Sequence, residues 1–306
     1  MKTSVFFPQA DLLVQVLPFV HAEVCFALKG GTAINFFVRE FPRLSVDIDL
    51  VYLPIEDRAT TLRGIDAGLM RIATNIRRAL PGLKVREQRP TGQKMVVKLG
   101  VRSAAGAEVT IEPNTVLRGV LHPVADMVLT PKAVEFFGRS ATMRVVSLPD
   151  LYGGKLCAAL DRQHPRDLFD VHQLLQNEGL TDDIRRAFVV FLASHDRPMN
   201  ELLTPNKKKL KQVYEDQFNG MTLEPVPLAV LEAARDQLIA RINSDLTAAE
   251  RQFLLSVKQM APQWELLGLP DLERLPGPQW KLYNLRKMDA KKRQLAEQQL
   301  RVKLGL

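Results

Sequence analysis

The segment from Lys29 to Leu50, KGGTAINFFVREFPRLSVDIDL, constrains the fold more than any other stretch of the chain. Just before it, VCFAL (24–28) reads as a short buried strand. Lys29-Gly30-Gly31 then turns the chain, and TAINFFVRE (32–40) has helical apolar spacing at Ile34, Phe37 and Val38. After a turn at FPR, SVDIDLVYL (45–53) alternates strictly. Val46, Ile48 and Leu50 share one face, and Asp47 and Asp49 share the other. Strand, glycine turn, helix and strand make an α/β unit. Its second strand carries two acids on a face that is either solvated or a site.

The residue types suit phosphate chemistry. A Gly30-Gly31 turn leaves backbone N–H groups free at the start of a helix, and Thr32 adds a hydroxyl there. Acids two apart on a strand lie on one face, roughly 6–7 Å apart. Such a pair suits Mg²⁺ beside triphosphate oxygens. Glu112 offers a third carboxylate, because Thr110 and Glu112 alternate with Val109 and Ile111 in AEVTIEP (107–113). Three carboxylates on two adjacent strands can hold two Mg²⁺ ions for an in-line nucleotidyl displacement. Each part alone has a plainer reading, the glycines as a tight turn and the acids as a solvated edge. The combination in this order is far more specific. Lys29, Arg43 and Ser45 flank it and either reach phosphate or fix the turns.

The remaining pattern places this unit in an α/β (α+β) core with a mixed sheet, followed by a helical C-terminal domain. EDRATTLRGIDAGLMRIATNIRRAL (56–80) has a helical stripe of Leu62, Ile65, Leu69, Ile72, Ile76 and Leu80. LKVRE (83–87), KMVVKLGV (94–101), AEVTIEP and MRVVSL (143–148) read as further strands. From Ser147 the pattern is helical, with Gly153 and Gly154 as weak spots in the first helix. RDLFDVHQLLQNEG (166–179) is a second helix, and more are expected near 181–195, 207–218, 227–242 and 247–260. The expected domains are 1–148 and 149–306.

Charge is uneven. The net charge is +8, and residues 281–306 carry +6 of it. Such a basic terminal helix is either a solvated face or the footprint of a polyanion, with nucleic acid the usual partner. Lys287, Lys291, Lys292 and Arg293 are the candidate RNA contacts. Trp280 and Tyr283 beside them read as core more readily than as base-stacking groups.

Other classes are excluded. With 25% charged and 46% apolar residues, the chain is neither disordered nor membrane-spanning. The N-terminus lacks the apolar run of a signal peptide. Cys25 and Cys157, without CxxC spacing, suit reduced thiols in a cytoplasmic protein. The five histidines lack zinc spacing, and GGTAIN lacks the ending of a Walker loop.

The GG(T/S)…DxD pattern resembles the signature of the nucleotidyltransferase superfamily related to DNA polymerase β. GGTAIN…RLSVDIDL is similar to the AbiEii/AbiGii toxins of type IV toxin–antitoxin systems. KLCAALDRQHPRDLFDV (155–171) and LPGPQWKLYNLRKM near the end resemble the family's later motifs. The resemblance implies a nucleotidyltransferase fold and an NTP bound by Gly30, Gly31 and Thr32. It implies Mg²⁺ on Asp47 and Asp49, Lys155 on phosphate or the transition state, and Asp167 orienting that lysine or the acceptor. It also implies transfer of NMP to an acceptor hydroxyl, the tRNA 3′ end foremost, and a cognate antitoxin. The residues add one argument of their own. Lys155 is a lone cation in an apolar helix stretch, costly unless it snorkels to the surface or meets an anion. Asp167 is otherwise a structural acid in a first helical turn. The alternatives are transfer to a protein or small molecule, which the basic tail disfavours for the small molecule. A non-catalytic NTP-sensing module that binds RNA or protein also stands.

Overall fold

The computed structural model describes residues 1–92 and 94–306. The chain divides into two compact units. The first comprises Met1–Ser147 with Phe218–Pro225, and the second Leu148–Gln217 with Val226–Leu306.

A seven-stranded sheet forms the first unit. Its strands are β1 (Phe26–Lys29), β2 (Asp47–Tyr52), β3 (Lys84–Gln88), β4 (Lys98–Arg102), β5 (Glu108–Asn114), β6 (Ala125–Val128) and β7 (Thr142–Val145). Their order is β3-β4-β5-β2-β1-β7-β6. The sheet is mixed, as expected: β2–β5 and β1–β7 are parallel, and the other pairs antiparallel. Alternation sorts its central strands into rows. Leu99, Ile111 and Ile48 are register neighbours and wholly buried. One step along, Glu112 pairs with Asp49, and Asp49 pairs with Lys29. An apolar row and a charged row therefore lie on opposite faces.

The Arg58–Ala79 helix follows its stripe, burying Ile65, Leu69, Ile72 and Ile76. Asp57 caps its start, accepting from Ala59 N at 2.9 Å and Thr60 N at 3.0 Å. The structure adds elements absent from the sequence reading: a Phe7–His21 helix, β6 and a Pro131–Phe137 helix. The Phe7–His21 helix buries seven apolar residues on several sides, so no amphipathic period marks it. Its Phe7 joins Phe36, Phe41, Phe136 and Phe137 in one aromatic cluster. Phe218–Pro225 clips the loop ahead of β2. Leu44 N donates to Met221 O at 2.8 Å, and Leu223 N to Pro42 O at 3.0 Å.

Helices build the second unit. The Leu148–Arg162 helix runs unbroken through Gly153 and Gly154. These glycines are not weak spots. A Cβ on Gly153 would lie 2.9 Å from the backbone of Ala187 and Phe188, so Gly153 admits the Asp182–Ser194 helix at close range. The basic terminal run is two helices rather than one, Pro276–Lys287 and Ala290–Leu304. Asp289 separates them, its side chain accepting from Lys292 N at 3.1 Å. No described helix is long and apolar enough to cross a membrane.

Candidate active site

The glycine turn and the acidic strand meet at the edge of a cleft of about 310 Å³, lined by Lys29, Asp49, Val97, Glu112, Pro113, Asn114 and Thr115. Lys29 ends β1 in an extended conformation and precedes a short helix, Gly30–Ala33. That helix widens into a π-helical turn, Ile34–Val38, closed by Arg39 N donating to Ile34 O at 2.8 Å.

Gly30 is required twice. Its φ is +74°, and a Cβ there would lie 2.6 Å from Asp49 Oδ2. The missing side chain is the space that the Asp49 carboxylate occupies. Gly31 does the same for Arg43, whose guanidinium would lie 2.6 Å from an added Cβ. Gly30→Ala should therefore lower stability by about 1–2 kcal/mol from backbone strain alone. It should also cut activity well beyond the unfolded fraction, because Asp49 must move. Thermal melts beside a transfer assay on the folded variant measure both effects.

Thr32, Arg43 and Ser45 are buried. Thr32 Oγ1 lies 2.6 Å from the Asp47 carbonyl oxygen and 2.8 Å from Ser45 Oγ. Arg43 donates to the Leu44 carbonyl at 2.8 Å. Thr32 thereby ties the helix start to Ser45 and to the first residue of β2. Asp47 and Asp49 are half-buried on the face opposite the buried Ile48 and Leu50. Glu112 stands beside Asp49 across the β2–β5 pair, but its Oε2 is 2.7 Å from Lys98 Nζ. Among the described residues, no three His, Cys, Asp or Glu side chains are grouped to enclose a metal ion. The donor chemistry of Asp47 and Asp49 still fits a hard divalent cation, with carboxylate oxygens on one face of a strand.

Lys155 and Asp167 lie in the second unit. Lys155 is only 6% exposed, so it does not snorkel. Its ammonium is 2.8 Å from Asp167 Oδ1 and 2.9 Å from Asp170 Oδ2. Arg162 also binds Asp167 through both its Nε and a terminal nitrogen. Burial pushes the Asp167 carboxyl upward. The Lys155 and Arg162 cations more than offset this and hold it well below the ordinary carboxylate range. Asp170 is absent from the sequence reading and is wholly buried. Its signal was available. Asp167 and Asp170 are three apart on the Pro165–Gln176 helix, hence on one face, and a buried Lys155 needs more than one acceptor.

The candidate RNA contacts divide. Lys287, Lys291 and Lys292 are exposed, and Arg293 is half-buried. Lys281, counted in the basic run, is buried and donates to the carbonyls of His195 and Arg197, with desolvation pulling its pKa down to about 8. Tyr283 is not core, being 44% exposed. Its ring stacks on Trp280 at 5.4 Å, and Lys287 Nζ lies 4.1 Å above it.

A glycine-started helix beside an Asp-x-Asp strand in a mixed sheet is the arrangement that the nucleotidyltransferase resemblance implies. The family model "Nucleotidyl transferase AbiEii toxin, Type IV TA system" matches residues 11–273. The chain belongs to that family. In fold it is similar to MenT4, a nucleotidyltransferase toxin of Mycobacterium tuberculosis H37Rv. The two share 18% identity and a TM-score of 0.55, over 96% of this chain and 91% of MenT4. JHP933 from Helicobacter pylori matches at a TM-score of 0.42 and 16% identity, over 79% of this chain and 95% of that one. A comparison with curated protein sequences found no match.

Proposed function

We propose that this toxin transfers NMP from an NTP to the 3′ hydroxyl of an RNA, tRNA foremost, in a Mg²⁺-dependent reaction that releases pyrophosphate. The observation that carries the reading is the charged row on the sheet, with Asp49 in register between Lys29 and Glu112 at the cleft and Asp47 two residues away. Asp47 and Asp49 would hold the cation, with Glu112 as a third donor. The ion would supply charge stabilisation at the transferring phosphoryl group. The N–H groups at Gly30 and Gly31 and the Lys29 ammonium would receive the triphosphate. The acceptor oxygen attacks the α-phosphorus and its proton passes to a neighbouring carboxylate. The bond to the bridging oxygen breaks, and pyrophosphate leaves. Lys155 and Asp167, paired in the second unit, are kept as candidate catalytic residues on the family resemblance.

The toxin acts in the cytoplasm on this reading, opposed by an antitoxin encoded nearby. Incubation with each labelled NTP, Mg²⁺ and either total tRNA or total protein tests the acceptor. Label in the RNA band supports the proposal. Label confined to protein transfers the assignment to a protein acceptor, and no label with any NTP supports the non-catalytic reading.

The terminal cations give a quantitative check. Neutralising Lys287, Lys291, Lys292 and Arg293 to Gln should weaken RNA binding. It should also flatten the slope of log affinity against log salt by up to about three units, at roughly 0.7–0.9 per lost phosphate contact. NTP affinity should be unchanged. Parallel lines of equal affinity would show the terminal helices to be a solvated surface.

A further inference from the structure

We infer that Lys98 is a positioning residue that holds the Glu112 carboxylate while the acidic site carries no cation, and so sets the cation affinity of that site. The inference rests on the proposed metal reading of Asp47, Asp49 and Glu112. Its basis is an arrangement across four neighbouring strands. Lys29 on β1 pairs with Asp49 on β2, and Asp49 pairs with Glu112 on β5. Leu99 of β4 pairs with Ile111 of β5, so Lys98 and Glu112 stand one step further along the same antiparallel ladder. The row reads cation, acid, acid, cation.

Two carboxylates side by side in register repel each other. A cation at one end of the row relieves that repulsion. Lys98 does so for Glu112 at 2.7 Å, and both side chains are partly exposed, at 31% and 51%. An ion pair this exposed contributes little to folding. Its geometric effect is larger: it commits an oxygen of Glu112 to Lys98, on the side away from Asp49. Glu112 lines the cleft with Asp49, yet no three acids are grouped there to enclose an ion. A divalent cation that recruits Glu112 has only Oε1 uncommitted to Lys98, and binding both oxygens requires drawing the carboxylate off the lysine. The lysine therefore competes with the metal for the Glu112 carboxylate.

The probe is Mn²⁺ alone, titrated into the full-length protein without nucleotide and followed by electron paramagnetic resonance or calorimetry. Lys98→Met keeps the length of the aliphatic stem and removes the charge. It should tighten Mn²⁺ binding roughly three- to tenfold, and this gain should vanish when Glu112 is already Gln. Equal Mn²⁺ affinity in wild type and Lys98→Met would overturn the proposal, leaving the pair as a solvated surface contact. The same tightening in the Glu112→Gln background would overturn it as well, since Lys98 would then act only through its long-range field. Asp47→Asn and Asp49→Asn separate the two levels of the argument. If Mn²⁺ binding depends on these aspartates but not on Lys98, only the Lys98 inference fails. If no aspartate-dependent binding occurs, the metal reading fails and takes the Lys98 inference with it.

Discussion

Asp47→Ala and Asp49→Ala should each abolish nucleotide transfer while leaving the protein folded. Both side chains lie on the face of β2 opposite the buried Ile48 and Leu50, so truncating them removes little packing. Stability should change by no more than about 1 kcal/mol, as for substitutions away from the core. Activity should fall by at least roughly 10²–10³-fold, the scale for losing one charge stabiliser at a reacting centre. Single-turnover incorporation of labelled NMP, set beside thermal melts, separates the two quantities. Relief of growth arrest on expression in a bacterial host should follow the same two substitutions. Full transfer activity in both variants would defeat the proposed mechanism.

Lys155→Ala should act first on folding. The ammonium sits between two carboxylates that are 1% and 0% exposed, Asp167 and Asp170. Removing it leaves two buried acids facing the same void, with Arg162 still on Asp167. Breaking a buried pair in this way costs about 3–5 kcal/mol. Urea unfolding would measure the loss. Its pH dependence would identify the cause. Asp167 has a depressed pKa in the folded state, so its contribution is complete above the unfolded value of about 3.9 and is lost as pH falls towards the folded value. Wild type should hold this contribution well into acid. In Lys155→Ala burial has less opposition, the folded pKa rises, and the acid-side loss should begin at higher pH. A variant as stable as wild type at neutral pH would mean the two acids find other partners. For that reason Lys155→Ala does not isolate a catalytic role by activity alone. Activity must be compared per folded molecule, with kcat separated from KM.

Much of the candidate site's geometry was legible because its parts are local. The Asp47-x-Asp49 alternation places both acids on one face whatever the strand packs against. The Gly30 requirement was legible only as a turn. That it is also the space for the Asp49 carboxylate depends on β1 and β2 lying antiparallel in one register. Thr32 and Ser45 looked like phosphate ligands because hydroxyls beside a glycine turn often are. In the folded unit Thr32 Oγ1 also meets Ser45 Oγ and the Asp47 carbonyl, contacts that no pattern within one segment announces. Arg43 illustrates the same limit. Its loop position left it either to reach phosphate or to fix the turn, and the sequence did not show that its side chain is buried in a loop clipped by residues 218–225.

Sequence by itself determined the α/β core with its mixed sheet, the helical second half and the pair of aspartates, because periods of 2 and 3.6 residues are properties of neighbours in the chain. It also flagged Lys155 as a cation in need of an anion, though not how many anions would meet it. Tertiary structure decided everything that depends on residues far apart. It placed Glu112 beside Asp49, gave Glu112 to Lys98, added Asp170 to Lys155, and drew Lys281 out of the basic run into the interior. Each is an electrostatic or hydrogen-bond choice among several available partners. Such a choice is settled by which strands and helices become neighbours, and the sequence pattern of one segment carries no information about that.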